Sequence, residues 1–351
     1  MHPDSQKTPL AAHTPESARS VFANAGLAPY RADQVFDWFY RKGARDFRAM
    51  KNVGAPVVRF LEEYFTPLSS ALVARHDAGD GAVKLDIELA DGAGVEAVVI
   101  KTPRRVTLCL SSQSGCPLSC AFCATGAGGF ERNLAPHEIV EQALHASDVL
   151  GAPRRISHAV FMGMGEPCLN LDAVLDAVDV LNAPWAFGIG ARRITISTLG
   201  FPGCLERLAA FPLEIGVAIS LHAATDALRK KLAPLAPAAV SETVEAAWRY
   251  FEKTGREVTY EYVLLAGVND GIGEAAALAA ALSGKRAYVN LIPYNEVEGL
   301  PFRRPTPARV IGFRRALQTR GIKVHVRDSR GSGAKAACGQ LRFEGTRGAP
   351  R

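Results

Sequence analysis

Three cysteines stand close together in Gly115-Cys116-Pro117-Leu118-Ser119-Cys120-Ala121-Phe122-Cys123, a C-x3-C-x2-C spacing inside one short loop. Thiolates are soft ligands that suit zinc or iron–sulfur clusters, and this spacing lets a single loop wrap a cluster from three sides. Paired zinc knuckles use two separated C-x2-C pairs, and the sequence holds one such pair. Three thiolates on a [4Fe–4S] cluster leave one iron free to chelate a small molecule. A zinc site completed by Cys109 or a distant histidine is the alternative that the spacing leaves open. The chain has seven cysteines, an odd number, and no apolar leader in its first residues, so a disulfide framework is disfavoured against metal or thiol chemistry. Cys168 and Cys204 match no motif and read as packing residues.

The elements that must position this loop follow a repeated pattern. Short β-rich runs at 106–110, 158–162, 193–197, 215–221, 258–264, 287–291 and 323–326 alternate with helical stretches at 136–150, 171–181, 204–210, 240–254, 273–283 and 307–320. Six or seven βα units imply a parallel sheet covered by helices. Without a Gly-x-Gly-x-x-Gly turn they favour an α/β partial (β/α)6 parallel barrel over a dinucleotide-binding sheet. Chemistry in barrels sits at the C-terminal ends of the strands, and the cysteine loop directly follows the first strand. This catalytic domain is expected over 101–345. Ahead of it, alternation at 83–89, a turn at Asp91-Gly92 and a second run at 95–100 predict a β-hairpin linker over 71–100. Helical periodicity at 30–40 and 57–65 predicts a small helical N-terminal domain over 21–70 whose basic loops suit a polyanion. Residues 1–20, polar and with three prolines, are expected as a flexible tail, and 346–351 as another.

Composition narrows the class. At 351 residues the chain has room for about two units, and 48% apolar against 22% charged residues excludes wholesale disorder. No run reaches the ~18 consecutive apolar residues of a membrane helix. A soluble cytoplasmic protein without membrane contact is the expectation. The net charge of +6 is unevenly spread: 301–335 holds ten Lys and Arg against Asp328 alone, and 31–51 holds six against three acids. Basic segments toward both ends suit a polyanionic partner.

A cysteine loop of this spacing after the first strand of a partial barrel resembles the radical S-adenosylmethionine (SAM) enzymes. The resemblance implies that Cys116, Cys120 and Cys123 hold a [4Fe–4S] cluster whose open iron binds SAM, and that an electron from the cluster splits SAM to a 5′-deoxyadenosyl radical. Gly163-Met164-Gly165-Glu166-Pro167, after the second strand, is similar to the superfamily's Gly-Glu-Pro element, which places Gly165 and Glu166 at SAM. By the same similarity Ser197, Ser220, Leu221, His222 and Asn295 contact SAM.

Three further stretches, Thr107-Leu108-Cys109-Leu110-Ser111-Ser112-Gln113, Gly129-Phe130-Glu131-Arg132-Asn133-Leu134 and Ala336-Ala337-Cys338-Gly339-Gln340-Leu341, resemble the RlmN/Cfr family of radical SAM RNA methyltransferases over about residues 25–341. That resemblance implies methylation of carbon 2 of an adenine in 23S rRNA, and of an adenine next to the anticodon in tRNA, with two SAM per turnover. Carbon 2 is electron-poor and cannot attack the methyl of SAM. Cys338 would therefore take the methyl first, and its S-methyl group would lose hydrogen to the adenosyl radical and add to the ring. Cys109 would resolve the protein–RNA adduct, forming a Cys109–Cys338 disulfide. Glu96 maps to the family's proton acceptor, with Cys109 as the other candidate. A flavodoxin-type electron donor and a monomeric chain are further implications. Methylation at carbon 8, the antibiotic-resistance activity of the same family, uses the same cysteines. A non-catalytic, zinc-stabilised RNA-binding protein is the reading from another class. Residues 331–335 and 199–204 depart from the family's usual continuation and bear on RNA fit.

Overall fold

The computed structural model describes residues 7–153, 155–327 and 329–343. Its chain opens with β1 (Thr8–Pro9), α1 (Pro15–Asn24), α2 (Arg31–Phe36), a π-helical turn at Asp37–Arg41, α3 (Ala55–Tyr64) and β2 (Phe65–Thr66), the last paired in parallel with β1. The flexible tail expected up to residue 20 is thus corrected from Thr8 onward. Thr14 accepts the Ser17 N–H and Pro15 occupies the first helical position, so this polar, proline-bearing stretch is a helix cap. Leu10, Ala18 and Phe22 are buried with Val35, Phe36 and Phe39 in one core. The tail expected at 346–351 lies outside the described residues.

The linker is also corrected. β3 (Ala71–Asp77), β4 (Ala82–Glu88) and β5 (Gly94–Lys101) are antiparallel, and β5 pairs antiparallel with β6 (Val106–Cys109). The expected hairpin is therefore one margin of a ten-stranded central sheet. Lys84, Asp86 and Glu88 gave the alternation of a half-solvated hairpin, but Lys84 is buried and ion-paired to Asp86 and Glu96, so that face is covered. The segment entering β3 is pinned to the catalytic part, since Ser69 N–H and Ser70 N–H donate to the two carboxylate oxygens of Glu141, each at 2.8 Å.

After β6 the cysteine loop is framed by a ribbon of β7 (Gln113–Gly115) and β8 (Phe130–Asn133) and by α4 (Ala124–Gly128). Then come α5 (Pro136–Leu150), β9 (His158–Phe161), α6 (Leu171–Asn182), β10 (Ile194–Thr198), α7 (Cys204–Ala210) and β11 (Gly216–Ser220). α8 (Asp226–Leu232), α9 (Val240–Thr254), β12 (Thr259–Leu264), α10 (Ile272–Ala281), β13 (Tyr288–Pro293), α11 (Pro307–Gln318) and β14 (Lys323–Val326) complete the chain. β6 and β9 to β14 run parallel in sequence order, each connection carrying helix: the α/β partial barrel, with β14 beyond the sixth unit. Buried β-branched residues such as Ile194, Ile196, Val217 and Ile219 fill the interior, as a sheet covered on both faces requires. Among the described residues no helix is long and apolar enough to cross a membrane.

Cys168 and Cys204 form a disulfide with Cα atoms 5.8 Å apart, which corrects their reading as separate packing residues. They sit just past neighbouring parallel strands, β9 and β10, so the fold sets their connections side by side despite a separation of 36 residues.

Candidate active site

The C-terminal ends of the parallel strands open onto a cavity whose lining includes the thiols of Cys116, Cys120 and Cys123. Gly165 and Glu166 after β9, Ser197 on β10, Ser220 and His222 at the end of β11, and Asn295 after β13 line it too. Leu221 does not; its side chain is fully buried in the core, and its N–H donates to Glu261 O at 3.1 Å.

Local backbone explains why these types stand here. Gly165 has φ +100°, and a Cβ there would lie 2.7 Å from Gln113 Cβ and Ser112 Oγ, so the turn after β9 admits glycine. That turn presents Glu166, whose N–H donates to Gln113 Oε1 at 2.8 Å. The Glu166 carboxylate accepts the N–H groups of Cys168 at 3.0 Å and Leu199 at 2.9 Å, which fixes it between two strand ends. Burial pushes its pKa up, against the pull of those hydrogen bonds and one from Thr198. Ser197 Oγ and Ser220 Oγ lie 3.1 Å apart. His222 adopts φ +57° and accepts the Val263 N–H at Nδ1, 3.2 Å, so its proton sits on Nε2. Burial, then Arg229, lowers its pKa to about 3 and keeps the ring neutral. Phe122 of the cysteine loop meets that ring edge-on at 5.0 Å.

The chain end closes the site. Asn295 Nδ2 donates to Cys338 O at 3.2 Å, Ala124 N–H to Gly339 O at 2.8 Å, and Arg342 N–H to Glu96 Oε2 at 2.8 Å. Cys338 is exposed and lines both this cavity and a second chamber, whose lining includes Cys109 and the basic residues Arg105, Arg327 and Arg330. Both cysteines are free thiols. Cys109 is buried, and burial, then the nearby Cys338, pushes its pKa up to about 12. Glu96 lines neither chamber. Its carboxylate is held by the Lys84 ammonium and the Arg342 N–H, and burial raises its pKa despite Lys84.

In the sequence Arg327 is one more member of the basic run at 301–335. It lines both chambers, and its guanidinium lies against the Glu261 carboxylate. Glu261 Oε2 lies 3.4 Å away and is itself fixed through Oε1 by Asn290 Nδ2 at 2.9 Å. The signal was available, because Arg327 is the first residue after the last parallel strand.

The thiols suit a cluster better than a single ion. Among the described residues no three His, Cys, Asp or Glu side chains converge on a point that one metal could occupy, whereas a cluster takes thiolates spread around a cavity.

Residues 110–279 match the family model of the radical SAM superfamily, and residues 10–66 that of the ribosomal RNA large subunit methyltransferase N-terminal domain. Over 337 residues the chain is 46% identical to the probable dual-specificity RNA methyltransferase RlmN of Gloeobacter violaceus, covering 95% of each. The chain belongs to the RlmN family. The RlmN homologue of Thermotoga neapolitana is 43% identical over 93% of this chain and 94% of that one. A radical SAM methyltransferase from Sphaerobacter thermophilus superposes with a TM-score of 0.92 at 40% identity, covering 96% of this chain and all of that one. As an RlmN-family member the protein is a SAM-dependent RNA methyltransferase that uses a [4Fe–4S] cluster and two SAM per turnover. This sets aside the non-catalytic zinc protein.

Proposed function

We propose that the enzyme methylates carbon 2 of adenine in 23S rRNA and, as a second substrate, of the adenine next to the anticodon in tRNAs. The observation that carries this reading is the position of Cys338, at the junction of the chamber bearing the three thiols and the chamber bearing Cys109. One sulfur there faces both a SAM site and a basic, solvent-reaching pocket. Relatives named dual-specificity RNA methyltransferases support two RNA substrates.

The cluster, when bound by Cys116, Cys120 and Cys123, supplies the electron that cleaves SAM to the 5′-deoxyadenosyl radical. Gly165, Glu166, Ser197, Ser220, His222 and Asn295 bind and orient SAM, the neutral His222 offering its Nε2–H as a donor. Cys338 takes a methyl group on sulfur. Its S-methyl group gives a hydrogen atom to the 5′-deoxyadenosyl radical, and the resulting methylene radical adds to carbon 2 of the flipped adenine. The ring then loses its proton and one electron, the latter to a one-electron acceptor such as the oxidised cluster, which restores aromaticity. Cys109, giving up its thiol proton, then attacks the Cys338 sulfur and forms the disulfide; the sulfur–methylene bond breaks, and the departing methylene takes up a proton to become the methyl group. Glu96 accepts the ring proton, its burial raising its proton affinity. For that role the Cys338 segment has to release Glu96 from Arg342 N–H.

Arg105, Arg327 and Arg330 face the RNA backbone at the second chamber, and the helical unit before β3 docks the stem. A flavodoxin-type protein donates electrons, and the enzyme works as a cytoplasmic monomer. The test is anaerobic incubation of cluster-loaded protein with SAM, reductant and either an rRNA fragment or tRNA, followed by nucleoside mass spectrometry. 2-Methyladenosine from both RNAs is expected. 8-Methyladenosine would move the enzyme to the resistance branch, and product from rRNA alone would remove tRNA as a substrate.

A further inference from the structure

Arg229, on α8, is a buried cation without an anion. The residue is 2% exposed, and Nη2 donates to Leu199 O at 2.6 Å. Nε and Nη1 have no hydrogen-bond partner, and the guanidinium makes no ion pair among the described residues. The acid nearest in sequence, Asp226, is occupied elsewhere, accepting the Val240 N–H at 2.7 Å. Burying an unpaired guanidinium is strongly unfavourable, so its retention asks for an anion that the polypeptide does not supply.

The surroundings say where that anion belongs. The cysteine loop is fastened to α8 by Ala121 N–H donating to Leu232 O at 2.9 Å. Cys116 and Cys120 pack with Leu118, Leu199 and Ala233 in one apolar patch, and Leu199 is the residue whose carbonyl holds Arg229. The carbonyl that holds Arg229 thus belongs to a residue that lines the cavity together with Cys120.

We propose that Arg229 is the counter-charge of the iron–sulfur cluster, a positioning residue that raises its reduction potential by standing in an apolar wall behind Cys120. This rests on the assignment of the cluster to the three thiols. A cluster ligated by three thiolates is anionic and gains a further negative charge on reduction, so a fixed, desolvated cation favours the reduced form. The same cation lowers the cost of holding Cys120 as thiolate once a cluster is bound.

The experiment compares wild type, Arg229→Met and Arg229→Lys, each reconstituted anaerobically without SAM or RNA. Midpoint potentials are read by electron paramagnetic resonance during a redox titration, and the metal-free proteins are melted in parallel. In Arg229→Met the ratio of reduced to oxidised cluster at fixed potential should fall about tenfold, a drop of about 59 mV for a one-electron couple. Arg229→Lys, which keeps the charge, should stay within about twofold of wild type. Metal-free Arg229→Met should melt no lower than wild type, since it loses an unpaired buried charge. A wild-type midpoint in cluster-loaded Arg229→Met overturns the proposal, as does a metal-free Arg229→Met protein that melts lower or fails to fold, which makes the residue structural. Metal-free Arg229→Met protein that folds but binds no cluster supports it. A wild-type protein with no reducible [4Fe–4S] signal would instead sink the cluster assignment itself.

Discussion

The chamber bearing the three thiols and the chamber bearing Cys109 share Cys338, Asn295 and Arg327, yet they are assembled by different means. The first is a product of strand ends. Glu166, Ser197, Ser220 and His222 each sit within a few residues of where a parallel strand stops, and hydrogen bonds within the fold orient them before any ligand arrives, from the Cys168 and Leu199 amides, between the two serines or from Val263. The second is a seam between distant parts of the chain: Cys109 on β6, Arg105 just before it, and Arg330 to Cys338 near the end. That chain end is held by side-chain and loop hydrogen bonds rather than by strand pairing, among them Gly331 N–H to Asp80 Oδ2 at 2.7 Å and Gln340 Nε2 to Glu296 O at 2.8 Å. A small ligand of constant shape is served by the rigid construction, whereas a base on a large folded RNA needs a wall that can be displaced.

The largest expected effect separates the chambers outright. Cys338→Ala removes the thiol common to both, so methylated adenosine should fall on the order of 10³-fold or more, while the first chamber still binds its cluster and cleaves SAM. Cys109→Ala alters the second chamber alone. It should carry RNA through one addition and stop, and labelled RNA should then remain covalently attached to the protein on a denaturing gel. Methylation by Cys338→Ala, or a clean second turnover by Cys109→Ala, would show that the shared sulfur is not the bridge.

A medium effect comes from protonation. Burial holds the Cys109 thiol up at about 12, so across pH 7 to 9 it is almost wholly protonated, and its thiolate fraction rises about tenfold per pH unit. Adduct formed by wild-type enzyme and then shifted in pH should decay faster with rising pH, without a plateau below pH 9, as followed by rapid quench. Arg327 pulls the Cys109 pKa the other way, so Arg327→Met should slow that decay further at each pH. A flat profile would mean that resolution is not limited by Cys109 ionisation.

Legibility in the sequence follows the same division. Helical periodicity places α5, α7 and α9 at their observed bounds, and the motifs after successive strands come to line one cavity, because each signal is local. What needed a distant partner was hidden. The pairing of Val98 with Cys109, which draws β3 to β5 into the central sheet, is set by register across the sheet, and nothing in the 83–100 pattern distinguishes it from a free hairpin. The Cys168–Cys204 bond depends on β9 lying beside β10. Glu96 reads as a hairpin carboxylate until Lys84 and the Arg342 N–H are seen to cover it. Arg229 looks like a helix-surface cation in Leu228-Arg229-Lys230-Lys231, and only its burial separates it from its neighbours.

The smallest effect tests whether the second chamber is the RNA-facing one. Arg105 is exposed at its rim and makes no ion pair among the described residues, so a phosphate that it contacts would release counterions. Arg105→Ala should weaken RNA binding severalfold and make the slope of log affinity against log salt shallower by about 0.7 to 0.9, the share of one phosphate. Ser197→Ala, in the first chamber, should lower SAM affinity and leave that slope unchanged. The pair reads the division directly, because one arginine at a wet rim acts through ion release and one serine on a strand end acts through a fixed hydrogen bond. If Arg105→Ala leaves the salt slope at the wild-type value, the polyanion approaches by another face. The basic helical unit, where Arg41 and Lys42 share Asp37 but stay half exposed, would then carry the phosphate contacts by itself.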